Sequence, residues 1–193
     1  MLRRKGKSHG AKETRGKYSK GKSIRKRDKS VYSRQEAGRR EAGTAVSGQG
    51  KSKACFATLA ERKTRFYIAV KMPDRRAQTM ENAIVAALSA FPPQLVKTIT
   101  CDRGTEFANW RRIEERLHCE VYFADPYCAW QKGTNENLNG LLREFYPKGR
   151  NLSRVAPATL KRNLALLNAR PRKVLYFHSA QELWDFELNS CCT

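Results

Sequence analysis

The chain has 193 residues, 40% of them hydrophobic, and 39 Lys+Arg against 18 Asp+Glu give a formal net charge of +21. This is room for one domain of ordinary size plus an appendage, and the charge points to a polyanionic partner, most simply nucleic acid. No apolar run approaches the length of a membrane-spanning helix, the basic N-terminus lacks the apolar stretch of a secretion signal, and the six cysteines form no CxxC pair, so zinc ribbon and disulfide framework are disfavoured and a reducing cytosol fits.

Residues 1–40 hold 16 Lys+Arg and 3 Asp+Glu, a net +13 of the total. With Gly, Ser and Lys abundant and no apolar stripe, residues 1–39 read as an extended arm, disordered until it meets phosphates. A globular domain is expected from residue 40 to 188, with 189–193 as a tail. Thr44–Ser47 is short and weakly strand-like, while Ala54–Leu59 and Arg65–Met72 are stronger strands joined by a tight turn. Met80, Ile84, Ala87 and Leu88 recur at helical spacing. A strand over Val96–Thr100, a helix over Trp110–Leu117 and a strand over Glu120–Phe123 follow. The next helix begins near Thr134 and is stopped by Pro147. Two further helical patterns span Ala158–Asn168 and Ala180–Phe186.

Two segments carry chemistry. VKTITCDRGTEF sets Asp102 at the C-terminal end of a β-branched strand, and DPYCAWQKGTNENLNGLLREF sets Glu136 in the first turn of a helix, with 33 residues between the two acids. Acids so placed can converge on divalent metals, and a pair of metals about 3.5–4 Å apart clamps the attacking and leaving oxygens of a phosphoryl displacement. Positions 136, 140 and 143 share one helix face, so Arg143 looks at the same surface as Glu136. His9, His118 and His178 have no ligand spacing. Trp110, Trp130 and Trp184 read as packing aromatics, with Trp130 singled out because it precedes Lys132 in the loop before the Glu136 helix.

These segments, with GKSKACFATLAERKTRFYIAVKMPDR before them and ARPRK at 169–173 after them, resemble the catalytic domain of DDE transposases of the insertion-sequence-30 family. The resemblance implies an RNase H-like α/β fold, with a five-stranded mixed sheet flanked by helices. It implies DNA transposition by metal-dependent strand cleavage and strand transfer, with Mg²⁺ or Mn²⁺ as cofactor. It further implies double-stranded DNA as partner, both transposon ends and target, homo-oligomers or hetero-oligomers with intact transposase, and a cytoplasmic, nucleoid-associated bacterial protein. Met1 falls in what is a linker in full-length members, so their helix-turn-helix modules are not expected here. Asp102 matches the second catalytic acid and Glu136 the third, both as metal ligands. Lys132 and Arg143 match basic positions of the signature, and Lys148 joins them around the site. Asn135 and Asn139 either contact phosphate or a metal-bound water, or act as a cap and a solvent-facing polar pair. Arg170, Arg172 and Lys173 form a phosphate-contacting turn or a solvated basic loop.

One position departs from the family. The first catalytic Asp belongs to a Trp-Glu-x-Asp-Thr motif, and this chain reads Arg40-Glu41-Ala42-Gly43-Thr44. Gly43 therefore occupies the Asp position, and no aspartate occurs between Asp28 and Asp74 to replace it. Removing a group that merely supports a metal ligand costs about 10–100-fold in affinity or activity, so losing a bridging ligand costs more. The expectation is an impaired enzyme. The alternatives are a catalytically inactive DNA-binding remnant or regulator of transposition, and a generic RNA- or ribosome-associated basic protein. Glu41, two residues away on the same strand face, is the conceivable substitute. Glu106, four residues past Asp102, reads as a turn residue or as one that supports the metal ligands from behind.

Overall fold

The computed structural model describes residues 21–126 and 128–191. Six strands form one mixed sheet: β1 (Lys22–Ser23), β2 (Arg39–Val46), β3 (Cys55–Glu61), β4 (Tyr67–Met72), β5 (Thr98–Cys101) and β6 (Glu120–Phe123), in the order β1-β6-β5-β2-β3-β4. The β2–β3–β4 meander is antiparallel, whereas β5 joins β2, β6 joins β5 and β1 joins β6 in parallel. Five helices complete the domain: α1 (Ala77–Leu88), α2 (Trp110–Leu117), α3 (Gly133–Phe145), α4 (Pro157–Ala169) and α5 (Ala180–Ser190).

Both faces of the sheet are covered, which explains why all seven residues of β3 are buried. On one face, Met80, Ile84 and Leu88 of α1 and Ile113 and Leu117 of α2 pack with Ala57, Leu59, Ile99 and Val121. On the other, Leu138 and Leu142 of α3 and Leu160 and Leu167 of α4 pack with Ala45, Phe56, Ala60 and Ala69. Burial on two sides turns strand alternation into the near-continuous apolar run seen in the sequence. Trp184 of α5 seals one end against Ala37 and Leu95. At the β4 edge, the Asn168 amide accepts from the Tyr67 N–H (3.0 Å) and donates to the Tyr67 carbonyl (2.9 Å), standing in for a neighbouring strand.

Three expectations need correction. The arm assigned to 1–39 is packed from Lys22 onward: β1 adds a sixth strand, Ile24 and Val31 are buried, and Ser23 and Asp28 cap two short 3-10 turns. Two apolar residues among many lysines and arginines leave no periodicity to read. Residues 1–20 lie outside the described residues. The second correction is β2, which starts at Arg39 rather than Thr44. Its first half is buried and ionic, with Arg40 donating to the Leu95 carbonyl beneath the rings of Phe91 and Trp184, and Glu41 paired with Arg62. Charged residues in a strand centre read as surface, and here they are interior. Finally, α5 runs to Ser190, past the expected boundary at 188, started by a reciprocal capping box between Ser179 and Glu182.

Candidate active-site cleft

The site begins where β5 stops. β2 and β5 pair as Arg39↔Thr98, Arg40↔Ile99 and Glu41↔Thr100, and extending that register by two residues sets Gly43 level with Asp102. Adjacent strands lie about 4.8 Å apart. Beyond Cys101 β5 ends while β2 runs on to Val46, and that edge of β2 opens a cleft of about 510 Å³. Its walls include Thr44, Asp102, Glu106, Asp125, Lys132 and Glu136.

Glu41 fixes the first turn of α3 over this opening. Its carboxylate is fully buried, ion-paired with Arg62, and accepts the backbone N–H of Asn135 at 2.9 Å. A carboxylate on the free N–H groups of a helix start meets both their hydrogen-bonding need and the positive end of the helix dipole. The Asn135 amide donates back to the Glu41 carbonyl at 3.1 Å. These contacts settle Glu41's role: both oxygens are engaged in holding α3 and Arg62, and the residue does not line the cleft.

Asp102 stands half exposed at the mouth. One oxygen accepts the Gly104 N–H at 3.0 Å, a turn that fixes the side chain, and the other is 2.9 Å from the Lys132 ammonium. Lys132 also donates to the Ala42 carbonyl at 3.0 Å, tying the end of β5 to β2. Glu136 is exposed in the first turn of α3 and faces the same cleft. The structure thus brings Asp102, Glu136 and Lys132 together, with Gly43 alongside in the adjoining strand. Arg143 lies two turns further along α3, donating to the carbonyls of Val46 (3.1 Å) and Tyr146 (3.3 Å), and so braces the rim rather than the floor. Lys148 is exposed in the turn after α3.

Neither Asn135 nor Asn139 lines the cleft. Asn135 is buried, and Asn139 donates to it at 2.8 Å while accepting the Tyr67 hydroxyl at 2.6 Å, so the pair forms a polar ladder from α3 into the sheet. A side chain at Gly43 would run into that ladder, with Thr58 Oγ1 at 3.3 Å and the Asn135 oxygen nearer than any Cβ approaches. The basic loop also divides. Arg172 turns inward, donating to the Leu167 carbonyl at the end of α4 (3.0 Å), and burial holds its pKa below the usual range. Arg170 pairs with Glu144 at 3.0 Å, and Lys173 is exposed.

Sequence reasoning missed Asp125 and underrated Glu106. Asp125 lies in the cleft wall and is bound by Arg25 (3.0 Å), which holds its pKa below the ordinary value, and by Gln131. Glu106 is nearly buried, accepting from Thr44 Oγ1 at 3.0 Å and from Arg75 at 3.2 Å. The signal for Asp125 was its position two residues past a strand end, as Asp102 is one residue past another. Trp130 is 73% exposed in the short turn leading into α3, so it is no packing aromatic.

The profile of the integrase core domain matches residues 43–129, starting at Gly43. The chain is 36% identical over 182 residues to the transposase InsI of insertion element IS30A from Escherichia coli K12, covering 93% of this chain and 47% of that protein. It is 34% identical over 165 residues to a probable transposase of the element IS1161 from Streptococcus salivarius, covering 86% and 46%. This chain belongs to the insertion-sequence-30 family of DDE transposases. It spans about half the length of the relatives it matches. A third member of the family, the IS1086 transposase of Cupriavidus metallidurans, is 39% identical over 137 residues, covering 71% of this chain and 40% of that one. The catalytic core domain of BIV integrase superposes with a TM-score of 0.60 at 16% identity, covering 81% of this chain and 99% of that one, which shows the RNase H-like fold.

Integrase core proteins use divalent metals. The residues of this family member do not fit a two-metal centre. The cleft offers Glu136 and an Asp102 already paired with Lys132, while Glu106 and Asp125 are engaged by Thr44, Arg75 and Arg25. Among the described residues, no three His, Cys, Asp or Glu side chains group closely enough to hold an ion.

Proposed function

We propose that this chain is a transposition domain that still holds DNA across the cleft between β5 and α3 but is impaired in, or has lost, strand cleavage and strand transfer. The observation that carries the reading is Gly43, level with Asp102 in the neighbouring strand, with the space beside it closed by Asn135. Two carboxylates remain where three are needed, and Lys132 neutralises one of them. What stays for the phosphate backbone is a set of exposed basic side chains, Lys148, Arg170 and Lys173, with exposed Trp130 available to stack on a base. Such a protein occupies transposon ends or target DNA as a regulator, alone or in hetero-oligomers with intact transposase.

The test is cleavage of a transposon-end duplex supplied at high concentration with Mn²⁺ or Mg²⁺. The unmodified protein gives no cleavage above background, Gly43→Asp gains it, and Asp102→Ala or Glu136→Ala in that background abolishes it again. Robust cleavage by the unmodified protein overturns the proposal.

A further inference from the structure

Beside Thr100 and Glu41, two arginines are buried with too few acceptors. Arg27 reaches in from the segment between β1 and β2, is 4% exposed, and donates one Nη1 hydrogen bond to Thr100 Oγ1 at 2.8 Å. Its Nε and Nη2 meet no acceptor. These two atoms form one edge of the guanidinium plane, the parallel pair of donors that grips a phosphate or carboxylate in bidentate fashion. Tyr32 covers one face of the group, its ring centre 5.1 Å from Cζ. Arg62, 5% exposed in the β3–β4 connection, spends Nη1 on Glu41, and its Nε is likewise unmet. Arg34 adds a third positive charge from the surface, on backbone held at a φ of +58°.

The charges here do not balance. Glu41 is the carboxylate facing the group, and Arg62 and the Asn135 N–H already use it. Burial, and then the neighbouring charge of Arg62, hold the pKa values of both Arg27 and Arg34 below the usual arginine range. Buried guanidinium groups are normally paired on every donor, because an unpaired one is costly to desolvate. None of Arg27, Arg34, Arg62 and Glu41 lines the cleft.

We propose that Arg27, Arg62 and Arg34 form a phosphate-binding subsite beside Glu41 and Thr100, with residues distinct from those that line the cleft. The ligand is a tetrahedral oxyanion, supplied either by a nucleic-acid backbone or by free phosphate. It takes the free edge of Arg27 and the Nε of Arg62, with Arg34 closing over it from solvent. The site stands whether or not the cleft cleaves DNA.

The experiment melts the full chain in inorganic phosphate and in chloride at matched ionic strength. The native protein gains a saturable rise in Tm with phosphate that chloride does not give. Arg27→Met abolishes that rise, while melting in chloride at least as high as the native protein because a buried unpaired charge is gone. Arg34→Gln, at an exposed position, weakens the phosphate response without altering the melt in chloride, and serves where Arg27→Met does not fold. A second arm measures binding to random-sequence duplex as a function of salt. If Arg27→Met makes the slope of log K against log salt shallower by about 0.9, one backbone phosphate occupies the site. An unchanged slope beside a phosphate-specific melt assigns the site to the free anion. Equal responses to phosphate and chloride, or a phosphate response that survives both substitutions, overturn the proposal.

Discussion

Asn135 fills the space into which a side chain at Gly43 would project. The amide is held there from three directions, by the Asn139 amide, by Thr58 and by the Glu41 carbonyl. Position 43 is therefore closed by a satisfied polar network rather than left as a hole, and β2 stays packed against α3 there.

Gly43→Asp accordingly overfills this spot. The substitution costs about 1–3 kcal/mol in urea unfolding, the range for forcing extra atoms into a packed interior. Asn135→Ala in the same background recovers part of that cost, although alone it destabilises. Additive losses from the two substitutions would show that Asn135 does not contest the space.

Glu41 behaves as a structural anchor. Glu41→Ala leaves Arg62 buried without its carboxylate and one α3 N–H without its acceptor, a loss of about 3–5 kcal/mol. Adding Arg62→Met relieves a substantial part of it, which a double-mutant cycle in denaturant measures. A Glu41→Ala protein as stable as the native one would contradict the pairing of Glu41 with Arg62 and α3.

The packed part of the arm loosens in acid. An ion pair with Arg25, and then Gln131, lower the Asp125 pKa, and the Lys22 hydrogen bond, followed by that of Tyr122, lowers the Glu120 pKa. Because both folded values lie below the unfolded ones, the stabilisation is fully present above the ordinary carboxylate values near 4 and is lost as pH falls through the folded values. Hydrogen exchange at Lys22–Ser23 and along β6, measured as opening equilibria corrected for intrinsic rates, shows opening that increases below about pH 4 while the β3 amides stay protected. Opening that is flat across this acid range would be the contrary result.

Residues 1–20 carry 8 Lys+Arg and a single Glu, and they precede the first packed strand. Deleting them makes the salt dependence of duplex binding shallower by about 0.9 for each phosphate no longer neutralised, with no change in the melting of the domain. An unaltered slope means that this segment does not touch DNA. Cutting at residue 30 instead removes β1 from the sheet edge and Ile24 from the interior, so that truncation lowers the melting temperature as well.

Much of the fold was legible because the sheet is covered on both faces, which makes β3, β5 and β6 stand out as apolar runs, while the helical spacing of Met80, Ile84 and Leu88 marks α1. Asp102 and Glu136 were legible from their places at a strand end and a helix start. Interior polarity was not legible. Arg40 and Glu41 hide the first half of β2, Asn135 and Asn139 look like surface amides, and Arg172 looks like part of a basic loop, because each is held by a partner that the local sequence does not reveal. Local pattern carries no information about such partners.

The Asn168 amide on Tyr67 and the β1 strand on β6 sit at opposite ends of the sheet. Each satisfies backbone groups that would otherwise be open to pairing with a strand from another molecule. At β6 the cover is only two residues long, opposite Tyr122 and Phe123, and it belongs to the most basic stretch of the chain. The cover on this sheet edge is thus drawn from a lysine-rich segment rather than an apolar one, and resistance to edge-to-edge pairing is bound up with how firmly those two residues stay in place.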